Sequence, residues 1–110
     1  MKGCYEMKFV GVTACPAGVA HTYMAAKALI KEAEARGHQM MIEKQGSLGI
    51  EDELSRSDIR NADAVVLAVA VAIEDPDRFD SKPVYEVEIG KALKHPQDVI
   101  DQLEKLVKEG

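Results

Sequence analysis

The chain has 110 residues, 46% of them apolar and 30% charged, which predicts one globular domain. Only two cysteines are present, so a disulfide scaffold is not expected. Its 14 basic and 19 acidic residues give a net charge of −5, and three Tyr and two Phe are its only aromatic residues, which argues against a nucleic-acid-binding surface. No apolar run approaches the ~20 residues that span a bilayer, and no secretory signal pattern is present, so a cytoplasmic protein is expected.

The first half of the chain predicts a strand, a helix and a second strand. The domain is expected over residues 8–108, after a short lead of residues 1–7, whose Cys4 is not expected to pair with Cys15. The predicted features are, in chain order, a buried strand at Lys8–Thr13, a helix at Val19–Arg36 with an apolar stripe at spacings of three and four, a helix stop at Gly37, a strand at Gln39–Lys44 and a loop at Gly46–Gly49.

The second half continues this alternation. A run that is apolar throughout predicts a strand buried on both faces. The predicted features are a short helix capped by Ser55 or Ser57 and ending at Asn61, the buried strand at Ala64–Ala70, a polar loop or helical turn at Glu74–Ser81, a strand at Pro83–Val87, a short helix at Glu88–Leu93 and a closing helix at Pro96–Lys108.

The alternation of strands and helices predicts the fold class. It indicates a three-layer α/β/α sandwich around a central four-stranded parallel sheet, a Rossmann-like architecture. Ligands of such sheets bind beyond the carboxyl ends of the strands. Cys15 follows the first strand, and the loops at Gln45–Ser47 and Ala70–Asp77 follow the next two, so all three are expected at one edge.

Cys15 opens the run CPAGVAHT, between the first strand and the first helix. The amide groups of such a loop and of the first helical turn point the same way, and the helix dipole adds positive potential. These features predict a reactive cysteine in an anion-binding loop. The loop consists of Pro16, Ala17, Gly18, Val19, Ala20, His21 and Thr22, and the predicted rim of the site consists of Gln45, Gly46 and Ser47.

The histidines do not indicate a metal site, because no pair of His and Cys has metal-ligand spacing. His21 is expected either to hydrogen-bond the thiol or a bound phosphate, or to pack at the helix start, and both interpretations stay open. Thr22 is expected mainly to cap the backbone, and His38 is expected to be solvated. GxGxxG and Walker motifs are absent, so no cofactor is predicted.

The run CPAGVAHTYMAA, together with EKQGSLG at Glu43–Gly49, the pair Arg78-Phe79 and the run KPVY at Lys82–Tyr85, resembles the fructose-type enzyme IIB domains of the bacterial phosphoenolpyruvate-dependent sugar phosphotransferase system. The resemblance covers about residues 7–107. It implies that Cys15 accepts a phosphoryl group from a phosphohistidine of enzyme IIA.

The resemblance also implies the second step, in which the phosphocysteine passes its phosphoryl group to fructose or a related sugar. That sugar is held by the membrane permease, enzyme IIC, so uptake is coupled to phosphorylation. A protein of this kind is a phosphotransferase that works in the cytoplasm and transiently at the inner face of the membrane. Two departures from the family pattern concern the rim, namely Lys44 in place of a frequent Thr and AVAVA at 68–72, which lacks an Asp.

Two alternatives stay open. A cysteine-dependent phosphatase carries Cys-x5-Arg, and here the position of that Arg is occupied by His21, although the acidic run Glu74–Asp77 offers a candidate general acid. A non-catalytic anion-binding or regulatory module would use Cys15 only as a small packing residue.

Overall fold

The computed structural model describes residues 7–15, 19–46 and 49–109, in which strands and helices largely alternate. The elements are β1 (Lys8–Ala14), α1 (Val19–Ala35), β2 (Gln39–Gly46), β3 (Gly49–Glu51), α2 (Arg56–Arg60), β4 (Ala64–Val69), a 3-10 turn (Pro76–Phe79), β5 (Val84–Glu88), α3 (Ile89–Lys94) and α4 (Pro96–Glu109). The four strands predicted from the sequence are therefore present as β1, β2, β4 and β5.

The strands form one sheet in the order β3-β2-β1-β4-β5. Neighbouring pairs among β2, β1, β4 and β5 are parallel, which confirms the predicted α/β class. The predicted four-stranded parallel sheet has a fifth strand at its edge, because β3, which begins at the last residue of the predicted loop, pairs antiparallel with β2. All three residues of β3 are exposed, so the strand has no alternating apolar pattern by which the sequence could reveal it.

Side chains of the buried strands alternate between two cores. Phe9 belongs to the core under α1, α3 and α4, whereas Val10 and Val12 belong to the core on the opposite face. That second core is covered by α2, through Ile59, and by the 3-10 turn, through Phe79. Ser55 caps α2 as predicted, in a capping box with Asp58. No helix among the described residues combines the length and the apolarity needed to cross a membrane.

The end of α1 lies against α4, at the opposite end of the sheet from Cys15. Arg36 donates hydrogen bonds to Glu32, Asp101 and Glu104. The prediction that His38 is solvated is wrong, since this residue is only 3% exposed. Its Nε2 lies 2.7 Å from the Glu104 carboxylate, and its ring meets Phe9 edge-on. The sequence next to His38 gives no sign of this burial, because its partners lie on β1 and α4.

Gly11, in the middle of the central strand, allows β1 and β4 to approach closely. A Cβ at this position would lie 2.6 Å from Val66 Cγ1 and 3.0 Å from the Val66 carbonyl oxygen. We therefore expect Gly11→Ala to lower the free energy of unfolding by about 1–3 kcal/mol, measured by urea denaturation. Gly90→Ala in α3 is the control, since nothing lies within 4 Å of the added Cβ. It should leave stability unchanged or raise it by about 0.5–1 kcal/mol, and equal effects of both variants would contradict this account.

Candidate functional site

Cys15 lies where the strand order of the sheet reverses. From β1 the chain continues to β2 on one side, and it later returns to β4 on the other side of β1. In open α/β sheets, the carboxyl ends of the strands flanking such a point form the usual ligand crevice. The backbone confirms the proximity of these ends, because the Ala70 N–H donates to the Ala14 carbonyl at 2.8 Å and the Cys15 N–H to the Gln45 carbonyl at 3.4 Å.

The start of α1 is fastened to the end of β1 beside the thiol. The buried Thr13 hydroxyl donates to the Thr22 carbonyl in the first turn of α1 at 3.2 Å. The Cys15 Sγ lies 3.7 Å from His21 Nδ1, and Cys15 as a whole is only 5% exposed. The first turn of α1 carries no acidic residue, so no side chain there opposes the positive potential of the helix start. The thiol therefore lies beside the start of α1, and helix starts are places where anions can bind.

A cavity of about 320 Å³ opens beside Cys15. Among the described residues, its lining contains no Lys or Arg, so no side-chain cation faces it. The lining residues come from the ends of β1 and β2 and from the loop after β4. They are Ala14, Cys15, Gln45, Gly46, Val71, Ala72 and Glu74.

Gln45 connects the three parts of this lining. Its backbone carbonyl accepts the Cys15 N–H, and its side-chain Oε1 accepts the Glu74 N–H at 3.0 Å. Its Nε2 donates to a carboxylate oxygen of Glu43 at 2.7 Å. Because a carboxylate only accepts and an amide N–H only donates, these two partners define which end of the carboxamide is oxygen. Gln45 is therefore held in one orientation.

Glu43 is the fully buried anion behind Gln45. Arg78 donates to both of its carboxylate oxygens, at 2.8 and 2.7 Å, and the Leu54 N–H donates at 3.0 Å. Burial raises the pKa of the Glu43 carboxyl, but the hydrogen bonds from Arg78, Gln45 and Leu54 outweigh it, and the net result is a lowered pKa. The same pairing raises the pKa of Arg78. The site thus has an ionised, bidentate pair beneath its rim.

The predicted site residues have different outcomes. Cys15, His21 and Gln45 lie together, and Gly46 lines the same cavity. Ala20 is exposed, while Thr22 is buried and fastens the helix start through its carbonyl. Val19 begins α1. The remaining predicted members lie outside the described residues. They are Pro16, Ala17, Gly18 and Ser47.

Sequence reasoning missed the role of Glu43 and of the Arg78 side chain. In the predicted polar loop, Glu74, Asp75 and Asp77 are exposed. The backbone of Glu74 nevertheless contacts Gln45, and Arg78 turns inward from the same segment. One signal was available, since Glu43 falls in the predicted strand QMMIEK two residues after Met41 and next to Ile42, where a charge requires a partner.

A family model and several individual proteins point to the same family for this chain. Residues 10–102 match the model of the family described as "PTS system, Lactose/Cellobiose specific IIB subunit". The chain is 43% identical over 97 residues to the "PTS system fructose-like EIIB component 2" of Escherichia coli strain K12, covering 88% of this chain and 92% of that protein. It is 43% identical over 100 residues to the "Fructose-like PTS system EIIBC component" of the same strain, covering 89% of this chain and 21% of that longer protein.

Solved structures of similar proteins support the same family. The solution structure of an enzyme IIB subunit of the PTS system from E. coli K12 superposes with a TM-score of 0.87 at 39% identity, covering 94% of this chain and 95% of that one. The crystal structure of a domain from the fructose-specific IIABC component of Borrelia burgdorferi gives 0.84 at 47% identity, covering 87% of this chain and 91% of that one.

Proposed function

The chain belongs to the IIB family of the sugar phosphotransferase system, and from that premise we propose that Cys15 is the residue that carries the phosphoryl group. Its relatives are fructose-like IIB components, and the protein is accordingly a phosphotransferase of a sugar phosphotransferase system. The observation that carries the assignment is the position of Cys15 Sγ at the start of α1, in the crevice where the strand order reverses.

The proposed reaction has two displacements on phosphorus. The Cys15 thiolate attacks the phosphorus of a phosphohistidine on enzyme IIA, so an S–P bond forms and the N–P bond breaks, leaving the histidine as leaving group. A hydroxyl oxygen of the sugar then attacks the same phosphorus. An O–P bond forms, the S–P bond breaks, the thiolate is restored and the hydroxyl proton is released. Such transfers depend mainly on positioning and on stabilisation of the phosphoryl oxygens.

The cavity lining supports a carrier rather than a phosphatase. A phosphatase of the Cys-x5-Arg type places a guanidinium on the phosphoryl oxygens, and the corresponding position here is His21. Arg78 is held by Glu43 in a bidentate pair. With no cation among the described lining residues, helix-terminus and loop amides are left to stabilise the phosphoryl group. We assign this role to the predicted loop, residues 16–22.

The proposed partners follow from the family. A relative joins a IIB part to a C component in one polypeptide, so the protein works with a membrane IIC component. Enzyme IIA is the proposed donor, and the proposed acceptor is fructose or a related sugar held by IIC. The proposed place of work is the cytoplasm, with transient contact to the permease at the inner face of the membrane.

Reconstitution of the phosphoryl relay tests this function. The protein is incubated with phosphoenolpyruvate, enzyme I, HPr and a fructose-type enzyme IIA, and the phosphate is located by mass spectrometry of peptides. We expect one phosphoryl group, on Cys15, that is retained until sugar and IIC-containing membranes are added. Release of inorganic phosphate without sugar would indicate the phosphatase, and absence of any label would indicate the binding module.

Both partners must reach the same sulfur, so their footprints should overlap. Val71 is 42% exposed beside the cavity, and Met24, one turn after His21 on the same side of α1, is 55% exposed. We expect NMR shift changes at Cys15, His21 and Val71 on adding enzyme IIA, and loss of IIA binding when IIC is present in excess. Changes confined to α4, with residues around Cys15 unmoved, would contradict the proposed docking face.

A further inference from the structure

Gln45, Glu43 and Arg78, here called the Gln45 network, form a continuous polar chain from the second core to the cavity beside Cys15. Arg78 leaves the 3-10 turn and pairs with Glu43, Glu43 accepts from Gln45, and Gln45 accepts from the Glu74 N–H. Each link is 3.0 Å or shorter. Nothing in the phosphoryl transfer itself uses these residues, yet together they fix one wall of the site.

We propose that the Gln45 network positions the loop at residues 70–74 against the acceptor sulfur. In this network Gln45 contacts the loop directly, and the ion pair of Glu43 and Arg78 orients Gln45. The inference rests on the proposed assignment of Cys15 as acceptor. The network residues are positioning residues, because none of their side-chain hydrogen bonds involves the Cys15 sulfur.

The loop is held by one hydrogen bond at each end, and this is why its position depends on Gln45. At its start the loop is held by the Ala70 N–H on the Ala14 carbonyl, which is a backbone link. Its other end is held by the Gln45 side chain, through the Glu74 N–H. Between these two ties lie Val71 and Ala72, which line the cavity. The position of the cavity wall therefore depends on one carboxamide, and a displacement of about 1 Å is enough to change a transfer rate about 100-fold.

The buried pair gives this carboxamide its single orientation. A solvated Gln has two amide flips and several rotamers, whereas Gln45 is 8% exposed and bonded at both ends. An anionic acceptor such as Glu43 holds an N–H more strongly than a neutral oxygen does. Arg78 in turn keeps the Glu43 carboxylate ionised and fixed in its plane. An ion pair outside the cavity lining is thus coupled to the wall of the proposed site.

Gln45→Met tests the contact residue, since it retains length and volume but removes both hydrogen-bonding ends. We expect the single-turnover rate of Cys15 phosphorylation by phospho-IIA to fall by at least about tenfold at saturating donor. Amide exchange at Glu74 should accelerate, because its side-chain acceptor is gone. Circular dichroism and thermal denaturation establish that the variant is folded under the assay conditions.

A double-mutant cycle tests the orienting pair. Glu43→Gln should slow phosphorylation in the wild-type background, and should change it by less than about twofold in the Gln45→Met background, because its effect passes through Gln45. Arg36→Met is the matched control. It removes another arginine that bridges acidic side chains, at the far end of the sheet, and should leave the transfer rate unchanged.

Several results would overturn the inference. One is a loss of less than about threefold in folded Gln45→Met, and another is an equal loss from Glu43→Gln in both backgrounds, which would show independent action. An equal rate loss in Arg36→Met would show that the slower phosphorylation of Gln45→Met reflects lower overall stability and not a displaced loop. Failure of the wild-type protein to accept phosphate at Cys15 would instead reject the proposed function, so the two failures are distinguishable.

Discussion

Cys15→Ser should fold and yet lose phosphoryl acceptance, with the rate from phospho-IIA falling by at least about 10³-fold. The hydroxyl has nearly the shape of the thiol, so the site keeps its geometry, but at neutral pH it offers no anionic nucleophile to the phosphorus. The measurement is single-turnover labelling followed by peptide mass spectrometry. Because Cys15 is 5% exposed, the serine costs some stability, which thermal denaturation will measure.

Two further variants complete this test. Cys15→Ala should be as inactive as Cys15→Ser, which separates loss of the nucleophile from burial of a hydroxyl. Cys4→Ser is expected to label like wild type. Stable label on His21 in Cys15→Ser at the wild-type rate would refute the assignment, since Nδ1 of that residue lies only 3.7 Å from the sulfur and could itself accept a phosphoryl group.

Arg78→Met should lower the free energy of unfolding by about 3–5 kcal/mol at neutral pH, the usual effect of leaving one member of a buried ion pair alone. Glu43 has 0% side-chain exposure and Arg78 has 20%, so little water is available to replace the guanidinium. Urea denaturation followed by circular dichroism measures the change. Arg36→Met, whose ion pairs include an Asp101 side chain that is 59% exposed, should cost about 1 kcal/mol or less.

The pH dependence provides a second check on the same pair. The pKa of Glu43 is lowered in the folded protein, so its contribution to stability is present above the unfolded pKa of about 4.3 and is lost as pH falls through the folded value. Without Arg78, burial acts on Glu43 with less opposition and its folded pKa rises. The stability gap between wild type and Arg78→Met should therefore narrow as the pH falls from the folded pKa of Glu43 in the variant towards its lowered folded pKa in wild type. A gap independent of pH would mean that lost packing of the Arg78 side chain, and not the ion pair, accounts for the destabilisation.

Local patterns in the sequence determined the main strands and helices of this protein. Apolar β-branched runs predicted β1 and β4, and the stripe ending at Gly37 predicted α1. The two candidate caps, Ser55 and Ser57, predicted the start of α2, which the structure places after Ser55. These signals are local because strand and helix periodicities arise from neighbouring residues. The position of Cys15 between a strand and a helix start also predicted the proposed site, since parallel strands bring their carboxyl ends to one edge.

Only the tertiary structure decided which polar residues support the site. Glu43 and Arg78 are 35 positions apart in the chain, and His38 and Glu104 are 66 apart, so no local pattern links them. The edge strand β3 has three exposed residues and is defined by pairing with β2. A buried charge requires a partner, but the sequence does not state where the fold provides one. The sequence therefore locates the loop beside Cys15, whereas contacts between distant residues hold the wall of the cavity next to it.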